Sequence, residues 1–90
     1  MYSAEEICAL LDANDITAAI LAATERIAFN INDDAAWYLR GKAQWRLGNH
    51  AAAISDYEHA VNINPQSEAR HALEISRDIL DFFNPDLLNP

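Results

Sequence analysis

Tyr38, Lys42, Trp45 and Arg46 fall at i, i+4, i+7 and i+8. On a helix that spacing gathers two aromatic rings and two cations on one face. These are the residue types that dominate binding energy at protein interfaces, so the chemistry they suggest is contact, not bond-making. Other reactive residues do not combine. Cys8 would need a histidine beside it to act as a nucleophile, and His50, His59 and His71 are remote in sequence with no oxyanion-type loop. Cys8 reads as a small, half-buried helix residue. The histidines form no i, i+4 pair and a lone cysteine cannot build a thiolate site, so no metal is expected. Two glycines leave no phosphate-cradling loop, and no cofactor is expected. Asp33 and Asp34 suit helix capping and the helix dipole. The remaining acids scatter over helix surfaces, which argues against an enzyme.

Ninety residues make one small domain, and a core of that size is marginal unless it packs efficiently or gains a partner. Hydrophobic residues are 51% of the chain, which argues against general disorder. The net charge of -8 disfavours nonspecific attachment to nucleic acid or to an anionic membrane. One cysteine excludes an internal disulfide and suits a reducing compartment. No apolar run approaches the ~20 residues of a membrane span. The start, "MYSAEEICALL", has early acids and no basic region, so no signal peptide is expected. The expectation is a cytoplasmic protein.

Few breakers and many Ala, Leu, Ile and Glu predict helix throughout. Ser3 and Glu6 form a capping box before Ile7, Leu10 and Leu11. "DAND" ends that helix, with Asn14 suited to a left-handed turn and Asp15 to capping the next. A second helix spans about Ile16–Phe29, with Ile16, Ala19, Ile20, Ala23 and Ile27 on one stripe. A third runs from about Ala35 to Leu47, and Gly48 and Asn49 end it. A fourth runs from about His50 to Ile63, stopped by Asn64-Pro65. A fifth covers about Ser67 to Phe82 or Phe83, and "NPDLLNP" is too rich in Asn-Pro to continue it.

Sliding the chain by 34 residues places Ala18-Ala19-Ile20 on Ala52-Ala53-Ile54, Asn30 on Asn64, and "AND" (Ala13–Asp15) on "LGN" (Leu47–Asn49). The helix-breaking corners coincide, which marks a repeated helix-turn-helix unit. Residues 34–66, with Trp37, Tyr38, Gly41, Leu47, Gly48, Ala53, Tyr57, Ala60 and Pro65, resemble a tetratricopeptide repeat. Gly41, Ala53 and Ala60 are small where helices cross, and Trp37 and Tyr57 fill the space between them. Arg40 and Gln44 stand where the family commonly has Leu and Tyr, so packing here is expected to be partly polar. Residues 1–33 resemble a degenerate copy: Ile7 replaces a Gly, Arg26 an Ala and Ile31 the closing Pro. Residues 67–83 resemble the extra helix that caps such arrays, and 84–90 form a tail. The whole chain is similar to small stand-alone bacterial members ending in a "DILxFFNxDxxN"-type tail, here "DILDFFNPDLLN".

The resemblance implies an all-α fold, a right-handed superhelix of two antiparallel helix-turn-helix repeats and a capping helix. It also implies a binding function, in which a peptide or helix lies in a concave groove lined by the first helix of each unit. Tyr38, Lys42, Trp45 and Arg46 would form that groove with Ala72, Ser76, Ile79 and Leu80, and suit an acidic or aromatic-containing segment. Members that clamp the acidic tails of chaperones use Lys, Asn and Arg where this chain has Ala4, Cys8, Leu39, Ala69 and Leu73, so that specificity is not expected.

The fifth helix is apolar on more than one stripe. Leu80, Phe82 and Phe83, with Leu87 and Leu88 of the tail, raise two expectations. The tail folds back and covers the excess, or two chains pair as a homodimer through this helix or exchange tails; in a self-associating unit the tail would fill the groove. An adaptor for a protein or peptide partner is the preferred reading. A self-associating structural unit, or an accessory subunit of an enzyme encoded elsewhere, are the alternatives.

Overall fold

The computed structural model describes residues 1–83; Leu87, Leu88 and the rest of the tail, and the side chain of Phe83, lie outside the described residues. Five helices follow in order: α1 (Ala4–Asp12), α2 (Ile16–Phe29), α3 (Asp34–Arg46), α4 (His50–Ile63) and α5 (Ala69–Phe83). They stack as two helix pairs and a final helix, in an elongated body of 45 × 27 × 18 Å. Helix α3 is central and packs against α1, α2 and α4, while α5 rests on α4.

Each boundary has a local cause. Ser3 Oγ accepts from the Glu6 amide at 3.1 Å and Glu6 Oε1 accepts from the Ser3 amide at 2.9 Å, closing the expected capping box. Those bonds from Ser3 hold the Glu6 carboxyl below its ordinary pKa. The two corners within the helix pairs are the same turn built twice. Asn14 and Gly48 have φ of 60° and 84°. The Asp15 amide reaches back to the Leu10 carbonyl at 2.8 Å, and the Asn49 amide to the Gln44 carbonyl at 2.9 Å. This six-to-one bond over a left-handed residue is a Schellman closure. The exits repeat too: Asn32 donates to Asn30 Oδ1, and Gln66 to Asn64 Oδ1, both at 3.0 Å.

Two boundary expectations differ. Asp15, expected to cap α2, makes no side-chain cap, and neither does Asn49, its counterpart before α4. Their ψ is 68°, far from the extended 167° of Ser3, because each has just left a left-handed residue. The Asn49 amide group bonds Gln44 Oε1 at 2.9 Å instead. Helix α5 starts at Ala69, two residues late, because Ser67 serves as a capping acceptor, its Oγ bonding the Ala69 amide at 3.1 Å.

The core has two parts. Ile7, Leu11, Ile16, Ala19, Ala23, Leu39 and Ala43 join α1, α2 and α3. Trp37, Ala53, Tyr57, Ala60, Ala69 and Leu73 join α3, α4 and α5. A Cβ at Gly41 would lie 2.5 Å from Cε1 and 2.6 Å from Cδ1 of Tyr57, and 3.2 Å from the Ala53 carbonyl oxygen. The missing side chain therefore houses the Tyr57 ring. A polar layer crosses the same interface. Arg40 holds Asp56 with a two-pronged bond, Nε to Oδ2 at 3.0 Å and a terminal nitrogen to Oδ1 at 2.9 Å. Its guanidinium also covers the Trp37 ring at 4.9 Å, and Trp37 stacks on His59 at 4.2 Å. The partly polar packing expected from Arg40 thus has Asp56 as its partner.

Gly41→Ala should destabilise the fold by about 1–3 kcal/mol in denaturant titration, because Tyr57 has to move. Gly48→Ala meets no neighbour within 4 Å. It should cost about 1–2 kcal/mol, from the left-handed backbone alone. Burial, reinforced by Tyr38 and Asp56, pushes the Tyr57 hydroxyl up to about 12 from 10.0. The unfolded chain ionises it near 10, so this contribution to stability is complete below that pH and lost as pH rises toward 12. Thermal melts across that window should fall less steeply for Tyr57→Phe than for the wild type.

Candidate binding groove

Helix α5 packs on α4 and stands off from α3, which opens a groove between α3 and α5. From α3, Tyr38, Lys42 and Trp45 project into it at i, i+4 and i+7; from α5, Ala72, Ser76 and Ile79 face them. The cavity they enclose is about 230 Å³, and Tyr57 and Ile75 complete its lining. A second hollow of about 360 Å³ continues the groove across α3 to Ala4 and Cys8 of α1, with Asp34, Asn64 and Glu68 at its rim. Tyr38 and Lys42 border both hollows.

Lys42 Nζ stands 5.5 Å from the Tyr38 ring centre, a cation over an aromatic face. The Tyr38 and Tyr57 rings lie 6.0 Å apart. Trp45 leans on His50 at 4.1 Å, which fixes the indole at one end of the groove. Burial, then the negative charge of Glu68, raises the Tyr38 hydroxyl above its ordinary pKa. Ser76 is the one buried hydroxyl on the α5 wall.

Arg46 goes elsewhere. It is exposed, and its guanidinium donates to the Leu11 carbonyl at 2.7 Å. Helix α1 has no basic residue in its last turn, so a cation borrowed from α3 adds a charged donor to a C-terminal carbonyl that also accepts from the Asn14 amide at 3.0 Å. That leaves Lys42 as the cation lining the groove. Leu80 is half-buried and does not line the cavity; Ile75 does. Tyr57 is the other residue that sequence reasoning placed differently: it fills the α3–α4 crossing and also floors the groove, because the gap at Gly41 lets its ring pass. Trp37, Gly41, Ala53 and Ala60 are buried as repeat-forming residues, while Leu47 is half exposed at the corner. Of the five positions compared with the chaperone clamp, Leu39, Ala69 and Leu73 lie in the core. Among the described residues no group of His, Cys, Asp or Glu is arranged to hold a metal, and no helix is long and apolar enough to cross a membrane.

No curated protein matches the chain in sequence. A Bacteroides fragilis protein solved in solution by NMR is similar in both sequence and fold: 34% identity over 99% of this chain and 91% of that one, with a TM-score of 0.87. Residues 34–67, covering α3, the corner and α4, match the tetratricopeptide repeat. With that match over its best-formed helix pair, and with the pair's turn chemistry repeated in the pair before it, this all-helical chain belongs to the tetratricopeptide repeat family.

Proposed function

We propose that the chain is an interaction module that holds a segment of another protein along the α3–α5 groove. Tetratricopeptide repeats are in general non-enzymatic scaffolds that bind proteins or peptides, which sets the class of function. The observation that carries the finer reading is the cavity between Tyr38, Lys42 and Trp45 on one wall and Ala72, Ser76 and Ile79 on the other. Its floor and walls are aromatic and aliphatic, which suits an apolar or aromatic anchor on the incoming segment. Lys42 supplies the charge-assisted contact, so a carboxylate flanking that anchor is the second feature expected. The α1 hollow, with Cys8 and the acids Asp34 and Glu68, continues the track. Its acids limit how many negative charges the segment can carry.

Selection from a displayed library of random peptides tests this reading. Enrichment should favour segments with one aromatic or large aliphatic residue next to an Asp or Glu. Lys42→Glu should weaken the selected peptides by about tenfold, roughly 1.4 kcal/mol. In the NMR spectrum the Trp45 indole resonance should move on binding. The Trp37 indole, tied to the Ile31 carbonyl at 2.9 Å behind the groove, should stay in place. Failure to enrich any such segment, or binding indifferent to Lys42→Glu, would contradict the proposal.

A further inference from the structure

The groove suits a large apolar side chain beside a carboxylate, and the chain carries that combination past the end of α5. Residues 84–90 read NPDLLNP, in which Asp86 adjoins Leu87 and Leu88 and no cation appears. They lie outside the described residues. Where an acid adjoins a large apolar residue earlier in the chain, as at Glu6 and Ile7, Glu74 and Ile75 or Asp78 and Ile79, the pair is committed to a helix.

The length of this end matches the groove. Helices α3 and α5 are both first helices of a repeat unit and run the same way. The 34-residue offset sets Tyr38 with Ala72, Lys42 with Ser76 and Trp45 with Ile79, and all six line the cavity. Trp45 and Ile79 form the level nearest the end of α5. At about 1.5 Å per helical residue, Phe83 lies some 6 Å beyond Ile79, 11 Å beyond Ser76 and 17 Å beyond Ala72. A chain doubling back from Phe83 in extended form advances about 3.3 Å per residue, so Asp86, Leu87 and Leu88 reach roughly 10, 13 and 17 Å. The acid then draws level with Ser76 and Lys42, and the leucines with the stretch from there to Tyr38 and Ala72. Pro85 disfavours helix at Asn84 and Asn-Pro favours a turn, which puts a reversal where this return needs one.

Charge supplies a separate argument. The chain has six Lys and Arg residues. Arg26, Arg40, Arg70 and Arg77 each pair with a carboxylate, and Arg46 bonds the Leu11 carbonyl. Lys42 makes no ion pair among the described residues, and its Nζ rests over the Tyr38 ring. The cation without an oxygen partner is thus the one that lines the groove.

We propose that the chain's own end, residues 84–90, occupies the α3–α5 groove in the absence of a partner, with Asp86 on Lys42 and Leu87 and Leu88 in the cavity. The inference rests on the groove reading and gives that site a built-in competitor. A tether this short holds the end at an effective concentration in the mM range. It weakens every incoming segment by the same factor, so only those that bind tightly displace it.

The full chain tests this, read by its two indole resonances. Leu87→Ser with Leu88→Ser should move the Trp45 indole and leave the Trp37 indole, bonded to the Ile31 carbonyl, in place. The synthetic peptide NPDLLNP, added to that double variant, should carry Trp45 back toward its wild-type position. It should bind the double variant about tenfold more tightly than it binds the wild type. Asp86→Lys should also open the groove, and Lys42→Glu combined with Asp86→Lys should close it again, because the pair regains opposite signs. Loss of fold cannot mimic that recovery. A Trp45 indole unmoved by the leucine substitutions, or a peptide that binds the double variant no better than the wild type, would overturn the proposal. The groove reading would survive that result if library-selected segments bind wild type and double variant alike, with the same dependence on Lys42. A wild-type Trp45 resonance that moves on dilution toward the variant's position would also overturn it, by assigning the tail to the groove of a second copy.

Discussion

Everything in this structure depends on how closely α3 and α4 approach. Gly41 presents no side chain where Tyr57 and the Ala53 carbonyl arrive, and Ala53 and Ala60 are fully buried along the same seam. Two backbones that near to each other leave the Tyr57 ring one place to go, which is across the seam and out to the floor of the groove. Helix α5 then settles on α4 and not on α3. The groove is therefore a consequence of the tight pair behind it, and its width follows from an absent side chain.

Close approach also explains how so alanine-rich a core holds together. Ala19, Ala23, Ala36, Ala43, Ala53, Ala60 and Ala69 are all at 0% exposure. Each buries little apolar area, so the gain per residue is small compared with a leucine. What alanine permits is dense contact between helix backbones, where many weak dispersion contacts add up. The larger side chains, Ile7 and Leu11 in one half and Trp37, Tyr57 and Leu73 in the other, fill the spaces between those crossings.

The architecture was legible in the sequence wherever a backbone requirement leaves one type of residue. Asn14 and Gly48 mark left-handed corners, Ser3 with Glu6 marks a helix start, and the 34-residue offset aligns two turns that share the same hydrogen bonds. The groove wall of α3 was legible for the same reason, since helical spacing alone puts Tyr38, Lys42 and Trp45 together. What escaped were choices made between helices. Arg46 has a side chain long enough to reach either the groove or α1, and the negative end of α1, presented by the Leu11 carbonyl, decides the matter. Asp56 sits among surface-like polar residues in α4, and only the pairing of helices reveals it as the counterion of Arg40. Ile75 occupies the position of a glycine in the previous unit, so the repeat pattern alone assigned it no role.

The Arg40–Asp56 fork has a consequence for how the chain finds its fold. Faces lined with alanine hold few features that fix register, and besides the seat of Tyr57 at Gly41 the fork is what a slide of α4 along α3 by a helical turn would break. Such a slide displaces the carboxylate by about 5.4 Å from the guanidinium. It strands both charges in an interface where Asp56 is only 5% exposed. The ion pair thus acts as a keyed joint beside the Gly41–Tyr57 fit: it contributes little to the strength of the seam, but it penalises every other alignment of two alanine-lined surfaces.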